Sequence, residues 1–144
     1  MLKISTHDSA TGEKPRNFLS WIGTPFARTQ SKTITELYEA GCRHFDFRLR
    51  KKGDEWICCH GIFETKRTFE DILSDISEGY MDITFEDDFS DNETPTKTNI
   101  YNLISKFFIH TNTTKQEFID YIDYISEKYP NIKICTVNVK YPTW

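Results

Sequence analysis

Three short groups of residues follow one another along this chain: His7-Asp8, then Asp46-Phe47-Arg48, then His60-Gly61. Their side chains suit phosphodiester cleavage by acid–base chemistry. A base takes the proton from an attacking hydroxyl, a cation holds the phosphoryl oxygens, and an acid protonates the leaving oxygen. Two histidines, one arginine and two carboxylates supply those parts. Each also has a plain alternative. Asp8 or Ser9 would cap local backbone in a polar turn, Arg48 would pair with Asp46 or Glu86 along a sheet, and His60 would close an exposed strand.

Something must bring residues so far apart together, and the hydrophobic pattern says what. Residues 2–5 read as a first strand delivering Thr6-His7-Asp8-Ser9 to its C-terminal end. Residues 10–30, punctuated by Gly12, Pro15, Gly23 and Pro25, read as irregular. Thr33 with Glu36 is a capping box, opening a helix with Ile34, Leu37 and Tyr38 on one face and Gly41 past its end. Arg43 to Arg50 alternates strictly, with Phe45, Phe47 and Leu49 on one face and His44, Asp46, Arg48 and Arg50 on the other. The segment Glu55 to His60 follows too closely for a parallel crossover, so it forms a hairpin. A loop over 51–54 would pair Asp46 with Cys59 and turn His60 away, whereas a loop over 51–55 pairs Asp46 with His60. The chemistry selects the longer loop.

Further on, Thr68 caps a helix carrying Phe69, Ile72, Leu73 and Ile76, and residues 81–86 alternate as a strand. Residues 87–99 read as an acidic surface loop and residues 100–109 as a helix. Thr114 with Glu117 opens a helix striped by Phe118, Ile119, Ile122, Ile125 and Tyr129, and residues 132–140 form a last strand. Strands alternating with helices predict an α/β fold in one domain over residues 1–144.

Composition narrows the function. A net charge of −4, with 18 Lys and Arg spread along the chain, excludes the basic face of general nucleic-acid binders. No stretch approaches the roughly 20 apolar residues of a transmembrane helix, and the N-terminus lacks the apolar core of a secretory signal. Adjacent Cys58 and Cys59 do not suit a regular disulfide framework, so reduced thiols and a cytoplasmic setting are expected.

Thr6-His7-Asp8-Ser9-Ala10-Thr11, Arg28-Thr29-Gln30-Ser31, Ala40-Gly41-Cys42-Arg43-His44-Phe45-Asp46-Phe47-Arg48 and Cys59-His60-Gly61, in that order, resemble the X region of phosphatidylinositol-specific phospholipase C in its bacterial form. The resemblance covers about residues 4–86. It implies a partial or distorted TIM (β/α) barrel of the PLC-like phosphodiesterase type, shortened because such a barrel runs to about 250 residues. It implies cleavage of an inositol phosphodiester, phosphatidylinositol or a soluble analogue, through the neighbouring hydroxyl to a cyclic phosphate. By motif position, His7 is the general base and His60 the general acid, tuned by Asp8 and Asp46, with Arg48 on the phosphoryl group. Arg48 stands where eukaryotic relatives carry a calcium-binding carboxylate, which implies a reaction without metal or other cofactor. Glu86 and Lys140, each at a strand end, are candidate substrate contacts. The family's late-strand carboxylate behind the first histidine has no counterpart here. An alternative is therefore a catalytically impaired module that binds inositol phosphate or phosphate.

The remaining expectations are weaker. Cys42, His44, Cys58 and His60 are tested as a zinc set and lack its usual spacing, and Glu86-Asp87-Asp88 reads as solvated rather than metal-binding. His44 and His110 are assigned no role. An open barrel edge suits covering by a homodimer, and transient contact with a membrane surface is compatible with the substrate class although no apolar helix with basic flanks is evident.

Overall fold

Phe45, Phe47 and Leu49 are all fully buried, and the strand that carries them organises everything around it. The computed structural model describes residues 4–27, 29–87 and 112–140. In chain order these form β1 (Ile4–Thr6), a 3₁₀ turn (Ser9–Gly12), α1 (Phe18–Ala27), α2 (Ile34–Glu39) and β2 (Cys42–Lys52). There follow β3 (Glu55–His60), β4 (Phe63–Thr68), α3 (Phe69–Leu73), β5 (Gly79–Phe85), α4 (Lys115–Lys128) and β6 (Ile132–Val139). The expected helix over 100–109 and most of the expected acidic loop lie outside the described residues.

The strands make one sheet in the order β4-β3-β2-β5-β6, with β1 also on β2. β1, β5 and β6 run parallel to the strands they join, whereas β3 and β4 run antiparallel. This overturns the expected TIM (β/α) barrel. A barrel needs eight parallel strands, each followed by a helix, and closure of the first strand on the last. Here two tight hairpins take the place of crossovers, the sheet is mixed, and β4 and β6 remain as its two outer strands.

Turn chemistry explains the difference. Lys52 pairs with Glu55, so the β2–β3 loop is only Gly53-Asp54, not residues 51–55. Gly53 adopts φ 60° at the first loop position, the conformation that a type II′ hairpin requires and glycine gives at no steric cost. Strict alternation from Leu49 opposite Cys58 would then set His60 opposite Phe47, on the wrong face. A second hairpin, turned at Gly61 with φ 58°, pairs His60 with Phe63 and creates β4, a strand absent from the sequence expectation.

The apolar face of the sheet is covered by α2, α3 and α4. Ile34 and Leu37, Phe69, Ile72 and Leu73, and Phe118 and Ile125 join Phe45, Phe47, Leu49, Met81, Ile83 and Phe85 in one core. Aromatic rings lock it, with Phe47 edge-on to Phe69 at 5.1 Å and Trp56 stacked on Tyr121 at 4.5 Å. All three helices begin with a capping box, from Thr33, Thr68 and Thr114. Two of these match the boxes read from the sequence. In the third, Asp71 takes the usual Glu place.

α1 was expected to be irregular. Asn17 accepts from the Ser20 N–H at 2.9 Å and starts the helix despite Pro25 within it. Ser20 fastens it to the β3–β4 hairpin, its hydroxyl accepting from the Glu64 N–H at 3.0 Å.

Candidate active site

β1 covers one edge of β2 near its start, and β3 covers the same edge near its end. Between them, opposite Asp46 to Arg48, that edge carries neither strand. The chain leaving β1 and the far end of β3 meet in this gap. Asp46 accepts from the Asp8 N–H at 3.3 Å, and the Asp46 N–H donates to the Ser9 hydroxyl at 2.8 Å. The link between β1 and β2 is thus made by the residues of the Thr-His-Asp-Ser block itself.

Asp8 is the centre of this arrangement. It is buried and holds the left-handed conformation, φ 43°, ψ 55°, which Asp tolerates better than most residues. The Thr11 N–H and hydroxyl both donate to its carbonyl, at 3.0 and 2.9 Å. Gln30 Nε2 donates to the neighbouring His7 carbonyl at 2.8 Å. The Asp8 carboxylate meets three cations or potential cations. His7 Nε2 lies 3.1 Å from Oδ2, His60 Nδ1 lies 3.3 Å from the same oxygen, and Arg48 Nε is in contact with Oδ1. Burial pushes the Asp8 carboxyl above the usual carboxylate range. His60, Arg48 and His7 pull the other way, while Asp46 adds to the rise.

The remaining contacts complete the constellation. His7 Nδ1 lies 2.9 Å from Asp46 Oδ2, and the imidazole is 67% exposed. Arg48, 11% exposed, also reaches Glu86 Oε2 at 3.5 Å. His60 gains its position despite the register described above, because β3 pairs with β2 only as far as Cys58 opposite Leu49 and its last two residues lie beyond that pairing. The structure therefore brings His7, Asp8, Asp46, Arg48 and His60 together.

An open pocket of about 490 Å³ is lined by three of them, His7, Asp46 and Arg48, while Asp8 and His60 stand behind its wall. Ser5, Thr6 and His7 line it from β1 and the turn after it, Asp46 and Arg48 from β2. Asp82 and Thr84 of β5 and Thr136 and Asn138 of β6 form the far wall. These four were not singled out in the sequence, although Asp82 and Thr84 sit on the polar side of an alternating strand. His44, expected to be idle, places Nε2 2.7 Å from Asp82 Oδ2.

Two expected substrate contacts sit differently. Glu86 is buried, with one oxygen accepting from the Gly61 N–H at 2.7 Å and the other on Arg48. It braces the site rather than facing the pocket. Lys140 does not line the pocket, and its N–H donates to the Phe85 carbonyl at 2.8 Å. Arg50, fully buried, was also missed. It donates to the carbonyls of Glu86 (3.2 Å) and Gly61 (3.1 Å), pinning the turn after His60 to the end of β5.

The sequence's zinc set is not assembled. Cys42 and Cys58 belong to the core beneath the sheet, whereas His44 and His60 reach its polar side. Burial raises the Cys58 and Cys59 thiols well above the usual range. Asp88 and His110 lie outside the described residues, as do the last four. No helix among the described residues is long and apolar enough to cross a membrane. On α1, however, Phe18 is 73% and Trp21 63% exposed, and their rings stack at 6.0 Å.

Compared with models of protein families, with curated proteins and with solved structures, the chain matches none.

Proposed function

We propose that this chain cleaves an inositol phosphodiester by intramolecular attack, without a metal. The observation that carries the reading is that two histidines from separate elements converge on one buried carboxylate beside an arginine and an open polar pocket. His7, at the pocket, takes the proton of the hydroxyl next to the ester. That oxygen bonds to phosphorus and the bond to the leaving oxygen breaks, giving a cyclic phosphate. His60 gives the leaving oxygen its proton, and Arg48 holds the phosphoryl oxygens as charge builds on them. Asp46 takes the place of the missing late-strand carboxylate, fixing the His7 ring through Nδ1. The aromatic surface of α1 supports contact with a lipid surface as the source of substrate.

One observation favours a second reading, an impaired module that binds phosphate without turning it over. Both nitrogens of His7 already face carboxylates, and Arg48 is shared between Asp8 and Glu86. A neutral imidazole has one lone pair, so His7 must release a nitrogen before it serves as a base. At 67% exposure the ring has room to do so.

Phosphorus NMR of the protein with a soluble inositol phosphodiester, with and without EDTA, separates the two. The expected result is a cyclic phosphate signal that survives EDTA and disappears in the His60→Ala variant. Substrate that binds and stays intact after prolonged incubation replaces the enzyme reading with the binding module.

A further inference from the structure

β5 and β6 pair in two runs. Gly79 opposite Ile132 leads to Met81 opposite Ile134, and Asp82 opposite Thr136 leads to Phe85 opposite Val139. Cys135 is the extra residue between them. Such a β-bulge re-aims side chains, and bulges occur often at sheet edges and next to functional sites. In an unbroken strand Cys135 and Thr136 would point to opposite faces. Here both come near Asp82, although the Cys135 thiol itself donates to the Lys133 carbonyl at 3.9 Å. The Thr136 hydroxyl donates to Asp82 Oδ1 at 2.6 Å, while Oδ2 receives His44 Nε2 at 2.7 Å. The ligand atoms of His44, Asp82 and Cys135 all lie within 4.8 Å of one another.

We propose that His44, Asp82 and Cys135 form a zinc site at the wall of the pocket, with its fourth position open. One nitrogen, one carboxylate oxygen and one sulfur make a donor set that suits zinc and not the hard cations, which take oxygen ligands. Tetrahedral zinc with bonds of roughly 2.0–2.3 Å holds its ligands roughly 3.3–3.8 Å apart. Binding therefore widens the His44–Asp82 contact by under about 1 Å and draws the thiol inward. The proton of Cys135 leaves to water as the thiolate forms, which its exposure permits, and the proton shared between His44 Nε2 and Asp82 passes to Nδ1 through water so that Nε2 is free to ligate. Thr136 is the outer partner that orients the ligating carboxylate. Asp82 and Thr136 also line the pocket that His7, Asp46 and Arg48 share, so the site adjoins that space through its carboxylate. Neither His44 nor Cys135 has a part in the phosphodiester reading.

The test is a titration of the reduced protein with cobalt(II), followed by absorption. Expected is one equivalent bound with a thiolate-to-cobalt charge-transfer band, displaced by zinc(II). The band disappears in Cys135→Ser, whose exposed position leaves the circular dichroism unchanged, and affinity falls at least tenfold in His44→Ala. His7→Ala binds as the parent does. No band, or a band that survives Cys135→Ser, overturns the site. Affinity that falls in His7→Ala and is kept in His44→Ala also overturns it, because it places the metal at the His7, Asp8 and Asp46 cluster. Turnover is not the readout, so failure here leaves the phosphodiester reading as it was.

Discussion

His7 Nδ1 stands 2.9 Å from Asp46 Oδ2, so the strand that carries Arg48 also fixes the ring of the proposed base. Asn at position 46 keeps the size and loses the charge. The Asp46→Asn variant is expected to cut turnover on the order of 10²-fold, against 10²- to 10⁴-fold for His7→Ala or His60→Ala. The parent pH–rate profile is bell-shaped, since one histidine must be neutral and the other protonated. Initial rates from pH 5 to 8 check this. A flat parent profile sinks the two-histidine mechanism, and full activity in His60→Ala removes His60 from it.

Asp8 sets function against stability. Its carboxyl is raised by burial in the folded protein, so between its unfolded and folded values the native state holds the extra proton. Stability from this group is complete below the unfolded value and is lost as pH rises through the folded one. Asp8→Asn lacks that loss. Its melting temperature relative to the parent is expected to climb as pH goes from 4 to 7, while turnover falls. Thermal melts at stepped pH decide it. A difference that shrinks with rising pH means that the ion pairs with His60, Arg48 and His7 outweigh the burial.

Phe18 and Trp21 expose stacked aromatic rings on α1. Trp21→Ala is expected to lower cleavage of phosphatidylinositol in vesicles at least tenfold and to leave cleavage of a soluble diester within twofold. Equal effects on both substrates tie Trp21 to folding or to the site, not to the lipid surface.

The candidate site was more legible than the fold. Histidine, aspartate and arginine at the ends and along the polar face of a strand need only that strand and its neighbours, and β2 alternates from His44 to Leu49. Sheet closure depends instead on how strands far apart in sequence pair. Two glycines at turns, Gly53 and Gly61, made hairpins where a barrel requires crossovers. The Asn17 cap was a readable signal for α1, masked by the neighbouring Gly23 and Pro25. The Cys135 bulge was not readable at all. A one-residue slip between β5 and β6 leaves no mark in composition or periodicity, yet it decides which residues meet Asp82.

The short β2–β3 turn gives the cleanest stability test. Gly53 holds φ 60°, and a Cβ built there meets nothing within 4 Å. Any cost of Gly53→Ala is therefore conformational, about 1–2 kcal/mol for an L-residue forced into the left-handed region. Urea denaturation should show that loss with an unchanged slope. Turnover per folded molecule stays at the parent level, because His60 is held through Asp8 and the turn at Gly61 and not through pairing with Asp46. No loss of stability means that the loop does not need glycine and that the two-residue register is wrong. A loss of turnover beyond the loss of folded protein means that the hairpin, and not the gap beside Asp46, sets where His60 stands.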